Sequence, residues 1–215
     1  MHVTRLLSQW LSNHTVIGHR AREAALLKLV HALLNGSKLS LTQLGRHRAG
    51  SAYEKHHIKA ADRLLANRHL YAERDGVYRA IARTLLAGIK RPLIIVDWSD
   101  MESRRRWLVI KAAAAVGGRA VSLYEKVYPM KRYNSPRTHR EFLAALKTIL
   151  PEGCEPIIVT DAGFRGPWFK AVEDQGWHWV GRIRNKIKFY DTGNGRWRYT
   201  DTLYKEATAR VQHIG

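Results

Sequence analysis

The chain has 215 residues, 45% of them hydrophobic, which is enough for one large domain or two small ones with a real core. Its 37 Lys and Arg residues against 18 Asp and Glu give a net charge of +19. The excess is spread over residues 1–90 and 91–215, which excludes a short basic localisation tag as its source. This distribution favours two surfaces that face a nucleic-acid backbone, and the alternative is a basic soluble protein without such a partner.

The sequence also argues against several other classes of protein. Cys154 is the single cysteine, which excludes an internal disulfide and a cysteine-rich zinc site and fits a reducing cytoplasm. Residues 1–20 contain no long apolar run, so no signal peptide is expected. No stretch approaches the roughly 18 apolar residues of a membrane helix, so no membrane partner is expected.

Residues 1–90 have the periodicity of a helical region. A short helix, a turn and a second helix with Lys55, Lys59 and Arg63 on its basic side are compatible with a helix-turn-helix that binds DNA. A helical bundle with solvated lysines is the alternative. The predicted helices are 21–36, ending at an Asn–Gly pair, a short one within 40–51, then 54–70 and 77–89.

The pattern changes after Pro92, from helical periodicity to extended apolar runs. The order strand, strand, strand, helix, strand, helix, strand indicates a mixed α/β fold, a mixed sheet with helices on its faces. Gly117–Gly118 predicts a tight hairpin between the second and third strands. The predicted strands are 93–99, 106–116, 119–129, 155–164 and 178–184, the helices are 135–150 and 166–177, and a peripheral hairpin turns at 193–195.

Two aspartates have matching settings in this region. Asp97 follows Leu-Ile-Ile-Val and Asp161 follows Ile-Ile-Val-Thr, and each precedes a turn-prone segment. The first and fourth strands of such a sheet can lie side by side, which would bring the two carboxylates together with a cation between them. Oxygen ligands on a rigid sheet select Mg²⁺ or Mn²⁺, the ions of two-metal phosphodiester chemistry. The alternative for each residue is a turn former or helix cap.

Other polar and aromatic residues are weaker candidates for a site. Asp100 points to the face opposite Asp97 in an extended strand and is expected to be a solvated turn residue, and Glu102 is treated alike. The histidines show no metal-ligand spacing, and there is no Gly-rich phosphate loop. Tryptophans either stack on bases or belong to the core, and the candidates are Trp168, Trp177, Trp179 and Trp197.

The segments "LIIVDWSD", "AVSLYEKVYP" and "IIVTDAGFRGPWF" together resemble the insertion-sequence-four family of bacterial DDE transposases, in particular the transposon-ten type. The resemblance implies a helical DNA-binding region over 1–90, a ribonuclease-H-like catalytic core over 91–185 and the start of a β-rich insertion over 186–215. It implies cut-and-paste DNA transposition with two Mg²⁺ ions, with Asp97 and Asp161 as the first two acids of an Asp-Asp-Glu triad.

The same resemblance implies the partners and the setting. Double-stranded transposon ends and target DNA would be bound, with Arg165 of the second motif as one more candidate DNA contact. Two protomers would meet at synapsis, in the cytoplasm of a bacterial cell and associated with its nucleoid.

The third acid of the family is not matched in this sequence. It is a glutamate in a Tyr–Arg–Glu–Lys signature, and near the end of this chain Tyr204 and Glu206 are followed by Ala207 where the arginine belongs. We therefore expect either a fragment of a longer transposase or a truncated product. Such a chain would bind transposon ends without cutting them, and this non-catalytic DNA-binding role is the alternative function.

Overall fold

In a computed structural model the chain forms two compact units, residues 1–87 and 88–215, and each is described by itself. The structure describes residues 2–14, 17–36, 38–184, 186–206 and 208. The division of the second unit into a catalytic core and an insertion stays a prediction.

The first unit is helical, as expected from its periodicity. Its hydrophobic core joins Leu29 of the second helix to Leu44, Ala61 and Leu64 of the next two. Its helices are α1 (His2–Asn13), α2 (Arg20–Gly36), α3 (Leu41–Arg46), α4 (Glu54–Leu65) and α5 (Arg68–Leu85). In the described part of the chain, no helix is both long and apolar enough to cross a membrane.

Helices α3 and α4 form the predicted pair of a short helix and a longer one. The Ser40 hydroxyl accepts a hydrogen bond from the backbone N–H of Gln43 and so caps the start of α3. Gly45 lets the two helices approach closely, because a Cβ there would lie 2.3 Å from Cγ1 of Ile58. The close pairing that a helix-turn-helix requires is therefore present, whereas DNA binding by it stays a prediction.

Two predicted helix boundaries in this unit are wrong, and α1 was not predicted. The helix expected over 54–70 ends at Leu65, and the one expected over 77–89 is α5, which begins at Arg68. The reason is Asn67, whose side-chain Oδ1 accepts hydrogen bonds from the N–H groups of His69 and Leu70 and starts a new helix.

The second unit is built on a five-stranded mixed sheet, ordered β3-β2-β1-β4-β5. The first three strands form an antiparallel meander. β4 pairs in parallel with β1, and β5 pairs in parallel with β4. The elements are β1 (Leu93–Asp100), β2 (Trp107–Val116), β3 (Arg119–Pro129), α6 (Pro136–Ile149), β4 (Ile157–Thr160), α7 (Gly166–Glu173) and β5 (His178–Gly181), followed by β6 (Lys188–Asp191), β7 (Arg196–Tyr199) and α8 (Thr200–Leu203).

The element order predicted for this unit is confirmed, with shorter elements after α6. Gly117 and Gly118 make the β2–β3 turn with φ values of 55° and 74°, as a hairpin of this type requires. The segments predicted over 155–164, 166–177 and 178–184 are shorter in the structure. They are Ile157–Thr160, Gly166–Glu173 and His178–Gly181, and a loop or turn follows each of them. The predicted peripheral hairpin is the separate two-stranded sheet of β6 and β7.

Helices α6 and α7 cover one face of the sheet. On that face Ile94 and Val96 of β1 and Ile158 of β4 are fully buried. Aromatic contacts tie the helices to the strands: the ring centroids of Tyr124 and Phe142 lie 5.3 Å apart, and those of Trp98 and His139 lie 6.3 Å apart. Residues that alternate with this buried set point to the opposite face, which carries the site described below.

His139 of α6 lies in this core and is 2% exposed, with its ring centroid 4.9 Å from that of Trp168. Burial lowers the pKa of His139 from 6.5 to about 4. The unfolded chain therefore binds a proton here between pH 6.5 and about 4 that the folded chain excludes. Stability due to this group is present above pH 6.5 and is lost as the pH falls toward 4.

We expect the free energy of unfolding of the wild-type protein to fall by about 3 kcal/mol from this group alone between pH 6.5 and pH 4. Urea unfolding followed by tryptophan fluorescence measures this dependence. His139→Phe keeps an aromatic ring and should flatten the curve, whereas His178→Gln, at an exposed position of β5, should not. Equal pH dependence in the wild type and His139→Phe would contradict the assignment.

Candidate active site

Asp97 and Asp161 occupy corresponding positions on neighbouring strands. β1 and β4 run parallel with Val96 opposite Thr160, and each of these residues is followed directly by one of the two aspartates. Adjacent strands are separated by about 4.8 Å, so the backbones of Asp97 and Asp161 are about one strand spacing apart. The adjacency predicted for the first and fourth strands is therefore present.

Both aspartates are exposed; Asp97 belongs to the sheet face opposite α6 and α7, and Asp161 is the first residue after β4. Asp97 alternates with Val96 and Trp98, whose side chains lie on the helix-covered face, and Asp161 follows the buried Thr160. Within the described residues neither carboxylate has an ion pair. Two negative charges thus lie side by side without a protein cation bound to either.

The loop after β4 fixes the Asp161 carboxylate. The backbone N–H of Gly163 donates a hydrogen bond of 2.8 Å to Oδ1 of Asp161. Asn134 donates from Nδ2 to the Gly163 carbonyl at 3.0 Å, and Phe164, which is 4% exposed, packs on Trp168. A Cβ at position 163 would lie 3.0 Å from Oδ1 of Asp161, so glycine leaves room for the carboxylate.

The other acidic candidates are occupied by arginines. Asp100 pairs with Arg105 at 3.0 Å, and Glu102 pairs with Arg106 at 2.9 Å. Asp100 is exposed, as expected, but it is the last residue of β1, paired in register with Leu108, and not a turn residue. Glu102 lies in the turn that follows and is half-buried.

The region that contains Tyr204 and Glu206 forms its own small cluster of charged residues. Glu206 pairs with Arg198, and Arg198 also binds Asp191 at 3.1 Å. Hydrogen bonds from Asn194 and Arg198 lower the pKa of Asp191 to about 2, and this carboxylate is 2% exposed. Ala207 lies outside the described residues. Among those that are described, no group of three or more His, Cys, Asp or Glu side chains is placed to hold a metal ion.

A cleft of about 760 Å³ opens beside Asp161, between the loop after β4 and the segment after β5. Its apolar floor includes Phe169 and Trp179, whose ring centroids are 4.1 Å apart. Gly181 is needed there, because a Cβ would lie 2.5 Å from Cζ of Phe169. Three exposed arginines line the cleft and have no ion pair among the described residues: Arg165, Arg182 and Arg184.

Two of the four candidate tryptophans are core residues and two are exposed, and base stacking by the exposed pair stays a prediction. Trp168 and Trp177 are 0% and 5% exposed and belong to the core. Trp179 and Trp197 are 41% and 62% exposed. Trp179 alone of these four lines the cleft, so it is the one that is placed beside Asp161.

A charged pair on the same sheet face as Asp97 was not found from the sequence. Lys111 of β2 lies directly opposite Asp97, and Glu125 of β3 lies directly opposite Lys111. The ammonium of Lys111 is 3.5 Å from Oε1 of Glu125. Only the strand register reveals this arrangement, and no local motif in the sequence signals it.

In the first unit, the candidate DNA contacts lie on one side of α4. Lys55, Lys59 and Arg63 follow one another at intervals of four residues, and all three are exposed. The structure thus provides a basic helix face, as the sequence predicted, without testing what binds it.

Comparison with known proteins identifies a family for this chain. A family model described as "Transposase DDE domain" matches residues 88–213. Neither a search of curated proteins nor a search of solved structures returns a match. The family match spans the whole sheet with Asp97 and Asp161 and more than half of the chain. The chain therefore belongs to the DDE transposase domain family.

Proposed function

We propose that this chain belongs to a cut-and-paste bacterial transposase of the insertion-sequence-four type and carries two of the three catalytic carboxylates, Asp97 and Asp161, as metal ligands on a ribonuclease-H-like core. The observation that supports this most is the parallel pairing of β1 with β4. It brings two exposed carboxylates to about one strand spacing from each other. One of them, Asp161, lines a cleft together with three arginines.

The residues present fit a hard divalent cation. Asp97 and Asp161 offer oxygen ligands only, on a rigid sheet, and their charges are not offset by an ion pair in the described part of the chain. Mg²⁺ is the proposed ion, with Mn²⁺ as a substitute. When bound, two such ions would activate the attacking oxygen and stabilise the leaving one in phosphodiester cleavage and strand transfer.

The surrounding residues of the chain then have separate tasks. Asp97 and Asp161 hold the metal, and the Gly163 N–H orients the Asp161 carboxylate. Arg165, Arg182 and Arg184 supply positive charge for the phosphates of the strand that enters the cleft. Exposed Trp179 adds an apolar surface against which a sugar or base can lie.

The remaining parts of the proposal concern partners. The helical region over 1–90 would bind double-stranded transposon ends through Lys55, Lys59 and Arg63, and target DNA would meet the second unit. The segment over 186–215 would be the start of a β-rich insertion. Two copies of the chain would pair two transposon ends, associated with the nucleoid in a bacterial cytoplasm.

A second candidate function is DNA-end binding without cutting. It is favoured because no described acidic residue joins Asp97 and Asp161 as a third ligand, and Glu206 is bound to Arg198. A metal held by two carboxylates alone should bind weakly and position its nucleophile poorly. In this role the chain would occupy transposon ends and inhibit an intact transposase.

Gel-shift and nicking assays with supercoiled DNA carrying the transposon ends separate the two candidates. We expect the 215-residue chain to bind with a steep salt dependence and to show no Mg²⁺-dependent nicking. Nicking that is abolished by Asp97→Asn would instead establish the catalytic role and reject the inert one. A salt-independent affinity would contradict DNA binding through the basic surfaces.

Manganese binding followed by electron paramagnetic resonance tests the carboxylate pair directly. Asp97→Asn and Asp161→Asn should each weaken Mn²⁺ binding by at least about tenfold, because each removes a ligand charge. Gly163→Ala should weaken binding by up to about tenfold, because its Cβ displaces the Asp161 carboxylate.

The matched controls are Asp100→Asn on β1 and Gly166→Ala at the start of α7, where a Cβ meets open space. Both should bind Mn²⁺ as the wild type does. Wild-type affinity in Asp97→Asn and Asp161→Asn would refute the metal site.

The role of α4 is tested by replacing Lys55, Lys59 and Arg63 together with alanine. If all three contact phosphates, the slope of log affinity against log salt concentration should become less steep by about 2.7. Lys28→Ala changes an exposed lysine of α2 in the same unit and should leave the slope nearly unchanged. A slope equal to the wild-type value in the triple variant would remove α4 from the DNA interface.

A further inference from the structure

Four charged residues form a row: three lie in register on three strands of the exposed sheet face, and Asp161 follows the last residue of β4. Glu125 of β3 pairs in register with Lys111 of β2, Lys111 pairs in register with Asp97 of β1, and Asp161 follows the residue of β4 that pairs with Val96. Neighbouring members of the row are one strand spacing apart, about 4.8 Å between backbones. Lys111 is the only cation in this row.

The side chain of Lys111 is held on its Glu125 side. Its ammonium is 3.5 Å from Oε1 of Glu125, and Glu125 also accepts a hydrogen bond of 2.8 Å from the Ser122 hydroxyl. The Lys111 side chain is still 44% exposed, so two of its three N–H donors can face solvent or a ligand. The ammonium is therefore positioned by Glu125 and is accessible from the open face.

A purely structural cross-strand pair is the competing explanation. An exposed Lys–Glu pair contributes only about 0.2–1 kcal/mol to stability. That value does not explain why the cation is next to the unpaired Asp97. With Glu125 the row carries two net negative charges, which one divalent cation would neutralise. Glu125 thus offsets the charge of Lys111, which would otherwise weaken cation binding at Asp97.

We propose that Lys111 binds a backbone phosphate of the DNA strand at the Asp97–Asp161 site, with Glu125 as its positioning residue. This inference rests on the proposed function, because it needs DNA to lie on this face. A phosphate that lies over Asp97 would be next to the Lys111 ammonium, because Lys111 pairs in register with Asp97. Lysine binds phosphate as a point charge with freely rotating donors, so the contact is independent of DNA sequence.

The experiment measures affinity for a short duplex DNA in Ca²⁺ by fluorescence anisotropy over a series of salt concentrations. Lys111→Met should weaken binding by about tenfold and make the slope of log affinity against log salt less steep by about 0.9. Lys111→Arg keeps the charge and should retain most of the affinity. Glu125→Gln should keep the slope, because it removes the positioning carboxylate and not the contact.

Lys126→Met is the matched control, since Lys126 lies on the opposite face of β3 with its ammonium 5.4 Å from the centroid of the Tyr128 ring. It should leave affinity and slope near wild-type values. Unchanged affinity and slope in Lys111→Met, or an equal loss in Lys126→Met, would overturn the proposal. Thermal unfolding of each variant separates a loss of contact from a loss of fold.

Failure of this inference is distinguishable from failure of the proposed function. Mn²⁺ binding in the absence of DNA depends on Asp97 and Asp161, and Lys111→Met should not weaken it. A wild type that binds no Mn²⁺ yet loses DNA affinity with Lys111→Met would reject the metal site and keep the phosphate contact. A wild type that binds Mn²⁺ while Lys111→Met binds DNA normally would reject the phosphate contact alone.

Discussion

The parallel hydrogen bonding between β1 and β4 is the constraint on which the site depends. It joins segments more than sixty residues apart in sequence and brings Val96 opposite Thr160, so the next residue of each strand is a carboxylate. A shift of one residue in this register would move Asp161 away from Asp97. A one-residue slip of β1 would also turn the Asp97 carboxylate toward the buried face of the sheet. Ile94, Val96 and Ile158 on the other face oppose such a shift, because all three are fully buried. The packing beneath α6 and α7 thus fixes the positions of charges that lie on the opposite face.

In a protein with a net charge of +19, the acidic residues near the site differ in whether they form an ion pair. Most acidic side chains near the site are already bound by cations: Asp100 by Arg105, Glu102 by Arg106 and Glu125 by Lys111. In the described ranges, Asp97 and Asp161 have no such partner. The cleft arginines, Arg165, Arg182 and Arg184, have no ion pair there either. Under the proposed function, a metal ion would complement the two carboxylates and a polyanionic strand would complement the arginines. This complementarity links membership of the DDE transposase domain family to particular atoms of this chain.

Much of the second unit could be predicted from the sequence because its signals are local. The aliphatic runs of β1 and β4, the Gly117–Gly118 turn and the apolar face of α6 each identify an element, and the order of elements makes β1 and β4 neighbours. The features that could not be predicted from the sequence depend on single hydrogen bonds, on strand register or on packing. Asn67 divides one predicted helix from the next by capping two N–H groups. The position of Lys111 beside Asp97 follows from the register of β1 with β2, and the exposure of Trp179 against the burial of Trp168 follows from packing. Neither is visible as a motif.

A crystal structure of the protein with Mn²⁺, determined with anomalous scattering, would show whether Asp97 and Asp161 share a metal ion. We expect an anomalous peak between Asp97 and Asp161, with carboxylate oxygens of both residues at about 2.0–2.6 Å from the ion. We also expect the Gly163 N–H to donate to Asp161 in that structure. Mn²⁺ bound elsewhere, for example beside Asp191, with none between the two aspartates would contradict the metal site. A β1–β4 register that separates the two carboxylates would contradict it as well.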